Sequence, residues 1–187
     1  MLRPRGLLVA LVLGAGLAFA PTALADDRIC RGTIGPVKVD DNIRVPAGAT
    51  CTLTRTRVGG NVKVFRNGTL IAHNVRVDGN VQAESARRVV VRAGSVIDGD
   101  VQADRGGAVS VLGSRVLGNI QLKTNRAPIA VLRNVVDGDI QLFSNRARAE
   151  VRRNRVDGNL QCKSNRPAPI GGGNVVKGNK EDQCRRL

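Results

Sequence analysis

A Gly-Asn step, or a close variant of it, recurs along this chain every 19 or 20 residues. It starts at Asp41-Asn42 and returns at Gly60-Asn61, Gly79-Asn80, Gly99-Asp100, Gly118-Asn119, Gly138-Asp139 and Gly158-Asn159. A partial eighth repeat opens at Gly178-Asn179. Almost nothing is inserted between repeats. A short, constant period specifies a stacked architecture, in which each repeat buries its apolar face only against its neighbours. One elongated domain is expected, not a globule.

Aligned on the Gly, the repeats resolve into columns. The third position reads Ile43, Val62, Val81, Val101, Ile120, Ile140 and Leu160, and the fifth reads Val45, Val64, Ala83, Ala103, Leu122, Leu142 and Cys162. Between them runs a column of exposed type: Arg44, Lys63, Gln82, Gln102, Gln121, Gln141 and Gln161. Apolar-polar-apolar alternation is the mark of a strand with one buried face. A further apolar column closes each repeat, from Val58 through Val77, Ile97, Val116, Val136 and Val156 to Val176. Another comprises Leu53, Ala72, Val111, Val131 and Val151; the repeat at Gly79 reads out of phase there, with Val89 and Val91, and the last repeat offers Gly171.

Three short strands per turn predict an all-β, single-domain, three-sided parallel β-helix, or β-solenoid, of about 19–20 residues per coil. Right-handed coiling is expected, because β-crossovers overwhelmingly take that hand. Leucine-rich repeats have similar lengths but need a Leu spacing and a helical segment that this Val-rich pattern lacks. The repeat Gly suits a corner that needs positive φ or has no room for a side chain. Asn42, Asn61, Asn80, Asn119 and Asn159 would then stack into an amide ladder at the corner. With no Trp, no Tyr and three Phe, the composition suits a narrow interior filled by aliphatic side chains.

Residues 1–25 read as a signal peptide: Arg3 and Arg5, an apolar run from Leu7 to Ala20, and Ala23-Leu24-Ala25 as cleavage site. The run is too short for a membrane span, and no second apolar segment follows, so a secreted product of the cell envelope or extracellular space is expected. Residues 26–40 read as an N-terminal cap, 41–177 as seven coils and 178–187 as a C-terminal cap. In an oxidising compartment four cysteines allow three pairings. Cys51 lies on an apolar column of the first full coil with Cys30 in the segment leading into that coil, and Cys162 lies inward in the last with Cys184 about one turn later. Pairs Cys30–Cys51 and Cys162–Cys184 are therefore expected, each closing one end of the solenoid. Without a C-x-x-C pair or a second His, a metal site is not expected.

Little else carries chemistry. His73 is the single His, placed at what reads as an exposed strand end. Asp78, Asp98, Asp137 and Asp157 precede the repeat Gly, with Leu117 and Lys177 interrupting the column, and Asp100 and Asp139 follow it. These suit turns, and the Gly-Gly-x-Gly-x-Asp pattern of calcium-binding rolls is not present. No catalytic residue, cofactor or metal is assigned. The strongest bias is charge: the formal +15 of the chain becomes +13 once Arg3 and Arg5 leave with the leader. Arg126, Arg146 and Arg166 recur at one position, with Arg87 a candidate fourth, and Arg133, Arg152, Arg153 and Arg155 form a second group. A candidate anion-binding set of Arg126, Arg146, Arg166, Arg133 and Arg153 follows, suited to anionic polymers; sequence-specific nucleic-acid binding is not expected.

The segments Cys30-Arg31-Gly32-Thr33, Gly158-Asn159-Leu160-Gln161-Cys162, Gly171-Gly172-Gly173-Asn174 and Lys180-Glu181-Asp182-Gln183-Cys184 resemble those of a group of small secreted β-solenoid proteins of high-GC bacteria. The resemblance covers most of the chain after residue 25, implies export and a solenoid, and brings no catalytic residues. A weaker similarity, of Val/Gly-rich coils alone, is to bactofilin-type polymer-forming proteins. Capped ends favour a monomer over an end-to-end polymer. The expectation is a non-enzymatic structural or binding protein outside the cell; the alternative is a β-helix enzyme of the polysaccharide-lyase type. Such enzymes build their clefts from loops between coils, and a constant period leaves little material for them.

Overall fold

The computed structural model describes residues 27–187, so the expected signal peptide at 1–25 lies outside the described residues. The chain winds into three parallel sheets, one of nine strands and two of eight. Each turn contributes one strand to each sheet, as in Val62–Val64, Thr69–His73 and Arg76–Val77. Every strand pairs with its equivalents one turn earlier and one turn later, so the sheets are in register along the rod. The sheets are called first, second and third here, in the order they occur within a turn. Residues ahead of the seven repeats add a further short turn, Arg28–Ile29, Gly32–Ile34 and Lys38–Val39. After the repeats, Lys180–Asp182 adds the ninth strand of the first sheet.

The apolar columns face inward. Ile43, Leu53, Leu70, Ile97, Ile120, Leu122, Ile140, Leu142 and Leu160 are among the largest fully buried side chains. Each aliphatic residue rests on its equivalent in the next turn, about 4.8 Å away, and this stacking supplies the burial that no single repeat could achieve. The repeat at Gly79 is in phase after all: Val91 pairs with Ala72 and Val111, and Val89 pairs with Leu70 and Val109. Its additional residue falls after the strand, at Ala93-Gly94, where both residues have positive φ (58° and 74°), so counting back from the repeat's end displaced the column by one.

The repeat Gly is required for space, not for φ. At Gly79 a Cβ would lie 2.7 Å from Asn61 Oδ1 and 2.8 Å from the Gly60 carbonyl oxygen, closer than real Cβ atoms come. Positive φ occurs at the other two corners instead, on Asn67, Ser85, Arg105, Thr124, Ser144 and Ser164 at one and on Arg55, Asn74, Arg133 and Arg153 at the other. The expected Asn ladder forms, and it continues through the two Asp positions. The Asn61 backbone N–H and Nδ2 donate to Asn42 Oδ1 at 2.8 and 3.1 Å, and Asn119 donates in the same way to Asp100 Oδ1 at 2.7 and 3.0 Å. Asp fits because its second oxygen takes a hydrogen bond from the outward column, Gln102 Nε2 to Asp100 Oδ2 at 3.1 Å.

Two more ladders, buried ones, run through the later turns. Asn125 Nδ2 donates to Asn145 Oδ1 at 3.1 Å and to the Ala103 carbonyl at 3.0 Å, and Asn145 Nδ2 donates to Asn165 Oδ1 at 2.9 Å. Gln183 ends this series, accepting from the Asn165 backbone N–H and Nδ2 at 2.9 and 3.1 Å. On the far side of the second sheet Asn134, Asn154 and Asn174 do the same, each Nδ2 also reaching a strand carbonyl inside the turn. Every amide donor and acceptor pointing inward thereby finds a partner, which is the condition for burying polar groups.

Both expected disulfides are present. Cys30 and Cys51 have Cα atoms 5.5 Å apart, and Cys162 and Cys184 have theirs 5.1 Å apart, within the normal span of a disulfide. Each joins a terminal turn to its neighbour.

Candidate anion-binding face

The second sheet positions the candidate arginines. Arg126, Arg146 and Arg166 stand at its entry corner, each donating its backbone N–H to the turn before, to Gly106, Asn125 and Asn145 carbonyls at 2.9, 2.8 and 2.9 Å. Neighbouring members are thus held one coil step apart, about 4.8 Å at the main chain. Arg87 belongs to the same corner column, but Gly107 interrupts it, and Arg87 Nε turns to Thr69 Oγ1 at 3.3 Å. Arg133 and Arg153 stand at the exit corner, both with φ of 55°. There the main chain is stapled by Arg133 N–H to the Arg152 carbonyl and Arg153 N–H to the Gly172 carbonyl, both at 3.0 Å. All five side chains are exposed.

The five residues therefore form two rails either side of a single strand, Ile129–Leu132 or Ala149–Arg152, seven residue steps apart, at most roughly 23 Å of extended chain. Between the rails lies a shallow hollow of about 340 Å3 bordered by Arg88, Ser110, Arg148 and Glu150. Glu150 is the one acidic residue in the strands of the second sheet, and it accepts from Arg152 Nε at 3.0 Å. Arg126, Arg146, Arg166, Arg133 and Arg153 have no carboxylate within ion-pair distance among the described residues.

The third sheet is partly neutralised, although Arg57 and Arg155 have no carboxylate within ion-pair distance among the described residues. On the third sheet Arg57, Arg76, Arg115 and Arg155 share an outward column, and the adjacent corner carries the Asp residues. Arg76 pairs with Asp78 and Asp98 at 3.1 and 2.6 Å, and Arg115 with Asp137 at 2.9 Å. Lys177 donates to Asp157 at 2.8 Å, and this hydrogen bond holds the Asp157 carboxyl below its ordinary pKa. Arg155, grouped by sequence with Arg133 and Arg153, thus faces a different side. Arg148, by contrast, borders the hollow and was missed by the column reading, because Pro128 holds the equivalent place one turn earlier. His73, expected at an exposed strand end, is half-buried, with Nδ1 enclosed and unpartnered.

Among the described residues no group of three or more His, Cys, Asp or Glu could hold a metal ion, and no helix is long and apolar enough to cross a membrane. Compared with known proteins, the chain matches no family, no curated protein and no solved structure.

Proposed function

We propose that this protein works outside the cell as a non-enzymatic binding protein that holds anionic polymers along its second sheet. The observation that carries the reading is the pair of Arg rails: five exposed guanidinium groups with no carboxylate partner, on the face whose strands hold one acidic residue already paired. Like charges at coil spacing attract a ligand that carries negative charge at similar intervals along its length. A phosphate- or sulfate-bearing chain, or an acidic polysaccharide, has that property. The rigid register of the rod presents the rails without a backbone ordering cost on binding. Two disulfides suit an oxidising compartment, which supports export.

Retention of the chain lacking residues 1–25 on immobilised heparin, used as a generic polyanion, tests the reading. Retention should fall steeply from low to physiological salt, because binding releases condensed counterions. Replacing Arg126, Arg146 and Arg166 together by Glu should abolish it, while replacing the ion-paired Arg76 and Arg115 by Glu should change it little. Salt-insensitive retention, or equal loss in both variants, would overturn the proposal.

A further inference from the structure

The outward face of the first sheet differs in kind from the basic face. A hollow of about 380 Å3 beside Phe65, Gln82, Glu84 and Arg105 runs into one of about 300 Å3 beside Gln121, Lys123 and Phe143. The two share Gln102 and Asp104, so they form one groove parallel to the rod. Its floor is the glutamine column, which is half-buried where the sequence suggested exposure. The amides shield one another: Gln82 Nε2 donates to Gln102 Oε1 at 3.4 Å, Gln102 to Gln121 at 3.1 Å, and Gln141 to Gln161 at 2.9 Å.

Three features of this groove point to a ligand. The chain has three Phe, and the two within the described residues, Phe65 and Phe143, both border this groove. They occupy one outward column, through Glu84, Asp104 and Lys123, four coil steps or about 19 Å apart. The Arg44 guanidinium lies 4.6 Å from the Phe65 ring centroid on one face, and the residue is still 36% exposed. Next, the charges nearly cancel: Lys63, Arg105 and Lys123 stand against Glu84 and Asp104, with Asp100 alongside. Arg105 bridges the two carboxylates, a hydrogen bond to Glu84 raising its pKa. Last, the Asp104 side chain is 34% exposed in the groove wall with Arg105 on its Oδ2, so its carboxylate keeps acceptor capacity for an incoming donor.

We propose that this groove binds an uncharged, extended polysaccharide lying along the rod. Planar amides, carboxylates and a guanidinium are the groups that engage neighbouring sugar hydroxyls as donors and acceptors at once. The phenyl rings at the two ends offer apolar surfaces to the C–H faces of pyranose rings. The coil step is close to the advance of one sugar ring in an extended chain, so successive rings meet equivalent amides. Near-neutral lining gives no advantage to an anionic chain, which separates this groove from the Arg rails.

Calorimetric titration of the chain lacking residues 1–25 with cellotetraose and with β-1,4-mannotetraose tests the inference. Binding of at least one tetraose is expected, with Kd unchanged between low and high salt. Gln102→Ala and Phe143→Ala should each weaken it tenfold or more. The Arg126, Arg146 and Arg166 triple Glu variant should bind as the parent does, which separates this outcome from that of the heparin experiment. Asp104→Asn, which keeps the side-chain shape, should also weaken binding, and matched melting curves would show that each variant is folded. Failure of both tetraoses to bind, binding indifferent to Gln102 and Phe143, or equal loss in the Arg variant would overturn it.

Discussion

Early and late turns build the corner between the first and second sheets differently. From the first inward residue of one sheet to that of the next, early turns take eight residues, Val62 to Leu70, Val81 to Val89 and Val101 to Val109, whereas late turns take nine, Ile120 to Ile129 and Ile140 to Ala149. Ala86 and Gly106 hold the corner in the early turns, and Asn125, Asn145 and Asn165 hold it in the late ones. The corner beyond the second sheet changes in parallel, from Thr56, Val75, Ser95 and Ser114 to Asn134, Asn154 and Asn174. A small or hydroxylic residue makes fewer bonds between turns: Ser95 Oγ accepts from the Val75 N–H of the turn before at 3.2 Å and donates to the Arg92 carbonyl of its own turn at 2.7 Å. An inward Asn shares its amide with the turns on either side, so these residues occur as series; Gln183 ends the one through Asn165, and Asn174 ends the other. The late turns therefore carry two buried amide ladders in addition to the half-buried corner ladder that runs through both halves.

The aliphatic interior is common to both halves and sets the upper limit of effect. Val131→Asp or Ile140→Asp buries an unpaired charge and should cost more than about 4 kcal/mol, enough to prevent folding, whereas Gln121→Asp should cost under about 1 kcal/mol. Val62→Asp in the early half should match the first two. Similar melting temperatures for Val131→Asp and Gln121→Asp would refute the inward and outward assignment.

The ladders then divide the halves. Asn145→Ala strips partners from the buried Asn125 N–H and from the Leu122 carbonyl, and should cost about 3 kcal/mol. Ser95→Ala removes two bonds in the early half, one to the turn before and one within its own turn, and should cost about 1 kcal/mol. Equal losses in chemical denaturation would erase the contrast between the two kinds of corner. Removing the Cys162–Cys184 disulfide, which closes 22 residues of sequence separation, should cost about 3 kcal/mol by the chain-entropy estimate. Hydrogen exchange should then quicken first at Asn165 and Asn145, because Gln183 is released; uniform quickening along the rod would show that the ladder has no end cap.

The surface pairs should matter least. The Asp157 carboxyl is held below its ordinary pKa by Lys177. Its contribution is therefore present above the usual carboxylate range, near pH 4, and fades as pH falls through the lowered value. Lys177→Met should leave the melting temperature unchanged at pH 7 within measurement. A clear drop would mean that the late half depends on its surface charges as well as its ladders.

Much of this molecule could be read from the chain itself. The period, the strand alternation, the inward columns and both cysteine pairings follow from residue type and spacing, because in a solenoid the neighbour in space is the residue one repeat away. The Arg columns were legible for the same reason. What spacing could not supply was the side of the rod to which a corner residue turns: Arg155 separates from Arg153 because Arg153 itself turns the corner with positive φ, and Arg148 joins the hollow with Arg88, three turns away in its column, across Ala108 and Pro128. The reason for the repeat Gly was likewise set by the turn beneath it, where an Asn oxygen fills the space a Cβ would need. Nothing in residue type marks Asn125, Asn145 and Asn165 as buried, and stacking alone shows that they face inward. Local sequence fixes which residues recur, but whether a polar side chain is buried depends on partners about 20 residues away, and those partners exist only once the coils have closed on one another.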